Sequence, residues 1–203
     1  MRILVVGASG TIGRAVVAAL QGDHEIVPVS FRSTAITVDI TSLASIADMY
    51  RQVGTVDAVV SVAGQARFAS LAQLTDADFQ FSIANKLMGQ VNLVRRGFPA
   101  LSDRGSFTIT SGVLARAPMV GSAAISLVNA GVEGFGRAAA LEAPRGIRVN
   151  VISPPWVMET LEALGMKDTP GLPAKTVARA YVRSVTGSET GVVIVPAAEG
   201  VSA

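Results

Sequence analysis

Arg2-Ile3-Leu4-Val5-Val6-Gly7-Ala8-Ser9-Gly10-Thr11-Ile12-Gly13-Arg14-Ala15-Val16 is the stretch whose reading decides the fold. Ile3 to Val6 form a short apolar run, rich in β-branched residues, with the length of a buried strand. Three glycines spaced three apart follow, and Ile12, Val16, Ala19 and Leu20 then recur at the spacing of one helix face. Glycines at a strand-to-helix turn let the backbone bend tightly and come close to a bulky anion. The free N–H groups and positive end of the following helix attract that anion. Strand, turn and helix in this order predict a dinucleotide site over Gly7, Ser9, Gly10, Thr11, Ile12 and Gly13.

Further along, Glu25 to Val29 reads as a second strand after a turn at Gly22-Asp23. His24, the only histidine, falls in that turn and is expected to be a solvated residue rather than a catalytic one. The end of the second strand is where such folds read the adenosine ribose. An acid there favours NAD, and an arginine accommodates the 2′-phosphate of NADP. No acid stands at this point, but Arg32 does, with hydroxyls at Ser30, Ser33 and Thr34, so the expected cofactor is NADP(H), held in part by Arg32 and Ser33.

Strands and helices continue to alternate. A short strand over 35–38 leads to Asp39-Ile40, and Thr41 is placed to cap a helix with the stripe Leu43, Ile46, Ala47, Tyr50 and Val53. A strand over 56–61 runs into Val62-Ala63-Gly64, small residues that would let a cofactor ring approach the backbone. Thr75-Asp76-Ala77-Asp78 resembles a capping box and opens one long helix with the stripe Phe79, Ile83, Leu87, Val91 and Val94. Lys86 lies at the edge of that stripe. Snorkelling to solvent is its ordinary reading, and burial would lower its pKa and let it serve as an acid or donor. A strand over 105–110 ends at Ser111, on the side where open α/β sheets place their ligands. A helix over 123–143, a strand over 147–152, helices over 158–164 and 174–185 and a last strand over 192–195 complete a doubly wound parallel α/β sheet.

The bulk numbers agree with one domain over residues 1–203, half of them hydrophobic, with a mean hydropathy of +0.48. Net charge is +2 with the basic residues scattered, so nucleic acid is not an expected partner. Without cysteine there are no disulfides or thiolate ligands, and the single histidine and the acids form no metal-ligand cluster in the sequence. Neither a signal-peptide pattern nor a membrane-spanning run is present, and the expectation is a cytoplasmic protein that does not enter the membrane.

Taken together, several segments resemble the short-chain dehydrogenase/reductase family over nearly the whole chain. They are Gly7 to Gly13, Asp39-Ile40, Ser61-Val-Ala63-Gly64, Thr110-Ser111, Gly131-Val-Glu-Gly134-Phe and Pro144-Arg-Gly-Ile-Arg-Val-Asn-Val-Ile-Ser-Pro154. The resemblance implies a Rossmann-like sheet of seven strands in the order 3-2-1-4-5-6-7, with NAD(P) across its C-terminal edge. It also implies a small-molecule pocket under the segment after Pro154, and a homodimer or homotetramer packed through the two long helices. Asp39, Ile40, Ala63, Gly64, Asn129 and Pro154 would join the cofactor site.

The departures are informative. The Tyr-x-x-x-Lys pair of the family, its general acid/base and its ribose-holding cation, corresponds here to Ile125 and Asn129. Neither can do that work, since an aliphatic group carries no proton and an amide carries no charge. The asparagine of the preceding long helix corresponds to Lys86, with Asn85 one step away, and Pro155 stands where the Pro-Gly signature has glycine. Of the usual catalytic set only the serine remains, as Ser111. Two functions stay open on the sequence. One is an NADP(H)-dependent oxidoreductase acting on a small carbonyl or imine, with Ser111 donating to the substrate and Lys86 or water delivering the proton. The other is a catalytically silent NADP-binding sensor or interaction protein, or a non-redox enzyme on the same scaffold.

Overall fold

The computed structural model describes residues 1–166 and 168–197. Seven strands form one sheet in the order β3-β2-β1-β4-β5-β6-β7. They are β1 (Arg2–Val6), β2 (Glu25–Ser30), β3 (Ile36–Thr37), β4 (Val56–Ser61), β5 (Leu101–Thr110), β6 (Arg148–Ile152) and β7 (Val193–Ile194). Every pairing is parallel, so all strand ends that follow the chain direction meet at one edge. The seven-stranded doubly wound sheet expected from the sequence is the one observed.

Helices cover both faces. α1 (Thr11–Leu20) and α7 (Ala174–Thr186) pack on one, where Ile3, Val5, Val16, Val177 and Tyr181 are fully buried. On the other lie α2 (Leu43–Val53), α3 (Asp76–Ser82), α4 (Gly89–Gly97) and α5 (Ala123–Glu142), around Ile46, Met49, Leu93, Phe107 and Val132. Burial on both faces explains why the central strands read as unbroken apolar runs rather than as alternating ones. A short α6 (Met158–Ala163) follows β6, and its Glu159 accepts from the Ala174 N–H at the start of α7. Among the described residues no helix is long and apolar enough to cross a membrane.

Local departures from the sequence reading have physical causes. Ala19 is exposed, and the buried face of α1 is Gly13, Val16 and Leu20, because α1 lies against α7. Ser42, not Thr41, caps α2 by accepting from the Ser45 N–H. Thr41 is taken up one turn earlier, where its N–H and hydroxyl both donate to the Asp39 carboxylate. The capping box of Thr75 and Asp78 is present as expected. The helix it opens runs without a break to Gly97, as expected, but a π-helical stretch, Ile83–Met88, lies between its α-helical parts α3 and α4. β5 starts four residues earlier than the apolar pattern indicates, with a register shift opposite Val56–Ala58 and Arg104 at a φ of 61°. His24 is half-buried, with its Nδ1 lacking a hydrogen-bond partner.

Two glycines of the helices should respond to alanine in opposite ways. At Gly13 a Cβ would stand 2.1 Å from the Gly7 carbonyl oxygen, whereas at Gly134 in α5 nothing lies within 4 Å. Gly13→Ala is expected to destabilise the fold by about 2 kcal/mol or more. Gly134→Ala is expected to stabilise it by about 0.5–1 kcal/mol through the unfolded chain's lost freedom. Urea unfolding of the two variants checks both signs.

Candidate functional site

The glycine turn is built as an anion cradle. Gly7 adopts a φ of +91°, and a Cβ on it would meet the Ala63 nitrogen at 2.9 Å, so the turn presses against the end of β4. At Gly10 a Cβ would meet only the Gly7 carbonyl oxygen, at 3.4 Å, and both Ser9 and Gly10 are exposed. Gly10 is also the N-cap of α1, which has no side-chain cap and no acid in its first turn. The opening N–H groups of the helix, from Thr11 to Gly13, have no intrahelical acceptor and are left to an outside one.

The end of β2 is folded on itself. The Thr34 hydroxyl accepts from the Ser30 N–H, and the Ser30 hydroxyl accepts from the Ser33 N–H. The Ser30 and Thr34 hydroxyls thus brace the loop, and the Ser33 hydroxyl is not part of that brace. The Arg32 guanidinium is exposed and lies over the Phe31 ring, 4.9 Å from its centroid. Asp39 is occupied with Thr41. The Ile40 side chain is buried against Gly89, where a Cβ would stand 2.7 Å from Ile40 Cδ1, so Ile40 serves the core and offers only backbone to a ligand.

Beside the turn, at the same edge, opens a cavity of about 270 Å³. It brings together Ile12, Gly64, Lys86, Ser111, Asn129 and Pro154 from the expected site residues, and Ile125 belongs to its wall. The glycine turn apart from Ile12, and the residues at Arg32, Ser33, Asp39, Ile40 and Ala63, lie outside it. Leu114, Val157 and Trp156, the sole tryptophan, add apolar lining, and Phe68 meets Trp156 edge-to-face at 6.5 Å.

Lys86 projects from the π-helical stretch. Its stem rests on Gly64, where a Cβ would meet Lys86 Cδ at 2.9 Å. Among the described residues it has no hydrogen-bonding or ionic partner for its amine. Lys86 is half-buried where it lines the cavity, and desolvation by the surrounding residues lowers its pKa to about 8. Asn85, its neighbour, turns away and accepts from the Gln65 N–H.

Ser111 is buried and donates its hydroxyl hydrogen to the Asn129 carbonyl at 3.1 Å or the Glu133 carboxylate at 3.2 Å. Glu133 is itself buried, and Arg116 (3.2 Å) and Arg137 (3.9 Å) neutralise it from the surface. The Asn129 side chain is buried and its Oδ1 has no donor. Just behind Ser111, the Gln90 amide closes both hydrogen bonds of the Thr110 backbone, each at 2.7 Å. The Thr110 hydroxyl donates to the Ser61 carbonyl and contacts the buried Tyr181 hydroxyl. Glu133, Arg116, Gln90 and Trp156 were missed by sequence reasoning. Glu133 lies one helical turn from Asn129, a spacing that places the two on one face. Nothing local signals the partners of Gln90.

Residues 11–198 match the family described as enoyl-(acyl carrier protein) reductase. An acetoacetyl-CoA reductase of Allochromatium vinosum is 31% identical over 179 residues, covering 79% of this chain and 72% of that protein. The crystal structure of the protein lin1944 from Listeria innocua is similar with a TM-score of 0.93 and 43% identity, over 96% of this chain and 98% of that one. A small-chain dehydrogenase solved in complex with NADPH has a TM-score of 0.86 at 24% identity, over 96% and 95% of the two chains; that likeness speaks to the fold.

Gln90→Leu should leave the buried N–H and C=O of Thr110 unpaired and cost about 2 kcal/mol or more in urea unfolding. A variant as stable as the parent would show that β5 is held at this point by other contacts.

Proposed function

This chain belongs to the short-chain dehydrogenase/reductase family of oxidoreductases, and on that premise we propose that it is an NADP(H)-dependent enzyme acting on a small carbonyl or imine compound, with Lys86 as its proton donor. The observation that carries the reading is the continuity of the two halves of the site. Ile12 stands in the first turn of α1, at the uncapped end that suits a pyrophosphate, and it also lines the cavity that holds Lys86. Three features fit the cofactor: the open face of Gly10, the exposed Arg32 guanidinium at the end of β2, and the donor-free Asn129 Oδ1 in the cavity. Arg32 suits a 2′-phosphate, which a charge-assisted contact would favour over a bare ribose hydroxyl.

When bound, NADPH supplies a hydride to the acceptor carbon. The chain's own part is to orient the acceptor between apolar walls and to hold a proton near its heteroatom. With a pKa of about 8, Lys86 is mostly charged at neutral pH, yet releases its proton more readily than an exposed lysine. Self-association through the two long helices belongs to the same reading, supported by the exposed Leu127 and Leu141 on α5. A second reading, a cofactor-binding protein without turnover, is favoured by Ile125, an aliphatic side chain in the wall where the family keeps its tyrosine.

The test is NADPH oxidation over ketones, imines and quinones, with cofactor binding followed by energy transfer from Trp156. At least one class should turn over above background, and Lys86→Met should lower that rate about 100-fold. Background rates throughout, with binding intact, would favour the second reading. Arg32→Ala should weaken NADPH about tenfold and leave NADH unchanged; equal losses for both would remove the preference for NADP.

The lysine also has a pH signature. A rate that uses the Lys86 ammonium falls as pH rises through about 8. In the unfolded chain the amine has its ordinary value of 10.5, so the native state binds the proton less tightly. Burying the charge therefore costs stability at neutral pH, and the cost fades as pH climbs from about 8 to 10.5. Lys86→Met should accordingly raise the melting temperature at pH 7 and raise it less at pH 10.

A further inference from the structure

Phe31 is a large apolar side chain left in solvent where the end of β2 meets the glycine turn. The Val29 carbonyl, two residues before it, accepts from the Gly7 and Ala8 N–H groups at 2.8 and 3.1 Å, so this end of the strand is joined directly to the anion cradle. Phe31 is 58% exposed and packs into neither side of the core. Its ring instead carries the Arg32 guanidinium, 4.9 Å from the centroid. Among the described residues Arg32 has no acid and no carbonyl as a further partner. Arg67 gives the contrast: it lies 4.3 Å from the Phe81 centroid but is also paired with the Asp78 carboxylate at 3.3 Å. Arg67 is neutralised where it stands, and Arg32 keeps its charge. The loop that carries Phe31 and Arg32 is stiff, because the Thr34 hydroxyl accepts from the Ser30 N–H at 2.7 Å and donates to the Ile36 carbonyl at 2.6 Å.

We propose that Phe31 is a positioning residue for recognition of the 2′-phosphate: its ring holds the Arg32 guanidinium by the face and leaves the charge and the N–H edge to the phosphate. This role rests on the reading of Arg32 as the cation that selects NADP(H), and adds the side chain that presents it. A guanidinium is planar and its donors lie along its edge, so a ring on its face and a phosphate on its edge are engaged together. A carboxylate in the place of the ring would take the same donors and cancel the charge. The ring quadrupole attracts the cation and does neither. Holding a long side chain near its bound position before the ligand arrives also reduces the ordering entropy lost on binding. NAD(H), which lacks the phosphate, gains nothing from the arrangement.

NADP⁺ and NAD⁺ differ only in that phosphate, and calorimetric titration with each reads the role of the ring. The proteins compared are the parent, Phe31→Leu, Phe31→Trp, Arg32→Ala and the variant that joins Phe31→Leu to Arg32→Ala. Phe31→Leu is expected to weaken NADP⁺ about threefold and to leave NAD⁺ unchanged. Phe31→Trp keeps an aromatic face and should keep the preference of the parent. Once Arg32→Ala has removed the cation, adding Phe31→Leu should change neither affinity. A spectroscopic signature needs no cofactor: the Arg32 Nε–H resonance, assigned by its loss in Arg32→Ala, should sit upfield in the ring current of Phe31 and return to the ordinary arginine position in Phe31→Leu. Phe31 is exposed, so the melting temperatures of its variants should match that of the parent. Equal losses of NADP⁺ and NAD⁺ in Phe31→Leu would give the ring to the adenine and overturn the proposal. An NADP⁺ loss that is the same with and without Arg32, no loss at all, or an Arg32 resonance indifferent to Phe31→Leu would also overturn it. A preference that depends on Arg32 and not on Phe31 removes the positioning role alone. If Arg32→Ala leaves the preference as it was, the cofactor reading itself fails, and the positioning role with it.

Discussion

The closest constraint in the molecule is the approach of α1 to the carbonyl of Gly7, which the absence of a side chain at Gly13 makes possible. A Cβ there would lie 2.1 Å from that oxygen, well inside contact distance. With Gly13 in place, the amino end of α1 is seated over the edge of the sheet, and Val16 and Leu20 fall against α7. α7 in turn carries Tyr181 through the layer to the Thr110 hydroxyl, directly behind Ser111. The turn that is shaped for an anion and the serine that faces the cavity are therefore joined by one run of packed contacts. Gly7 extends the same dependence to β4, since its own missing Cβ lets the turn lie on Ala63.

What could be read from sequence was what depends on local rules. Apolar runs and stripes located the strands and most helices, and the three glycines announced the turn because their need arises from backbone geometry within a few residues. Errors came where two local candidates competed, as when Asp39 drew Thr41 away and left the cap of α2 to Ser42. The site was legible in part. Lys86, Ser111, Asn129 and Gly64 do meet in one cavity, but what each faces was set by partners distant in sequence. Glu133 reaches Ser111 across 22 residues, and Gln90 reaches Thr110 across 20. No periodicity encodes such pairs.

The electrostatics of the site follow from where its two kinds of charge are kept. Glu133 is buried but matched, with Arg116 and Arg137 closing it off from the surface side. Lys86 is desolvated and unmatched among the described residues, which is the physical source of its lowered pKa. Had the carboxylate stood beside the amine, the pair would have fixed both in their charged forms and removed any readiness to exchange a proton. Keeping Ser111 between the carboxylate and the cavity avoids that pairing and spends the acid on orienting a hydroxyl instead.

The π-helical stretch from Ile83 to Met88 has a consequence for how this chain is compared with others. A π turn accommodates one residue more than the α-helix around it, so the side chains before it are rotated by about 100° relative to those after it. Counting by helical spacing from either end then gives different answers for which residue points inward. That is the physical form of the ambiguity between Asn85 and Lys86, and only the three-dimensional phase of the helix resolves it, turning Asn85 to Gln65 and Lys86 to the cavity. In evolutionary terms the stretch behaves as a one-residue insertion inside a helix. Such an insertion can exchange the side chain presented to a site while the stripes packed on either side of it keep their places.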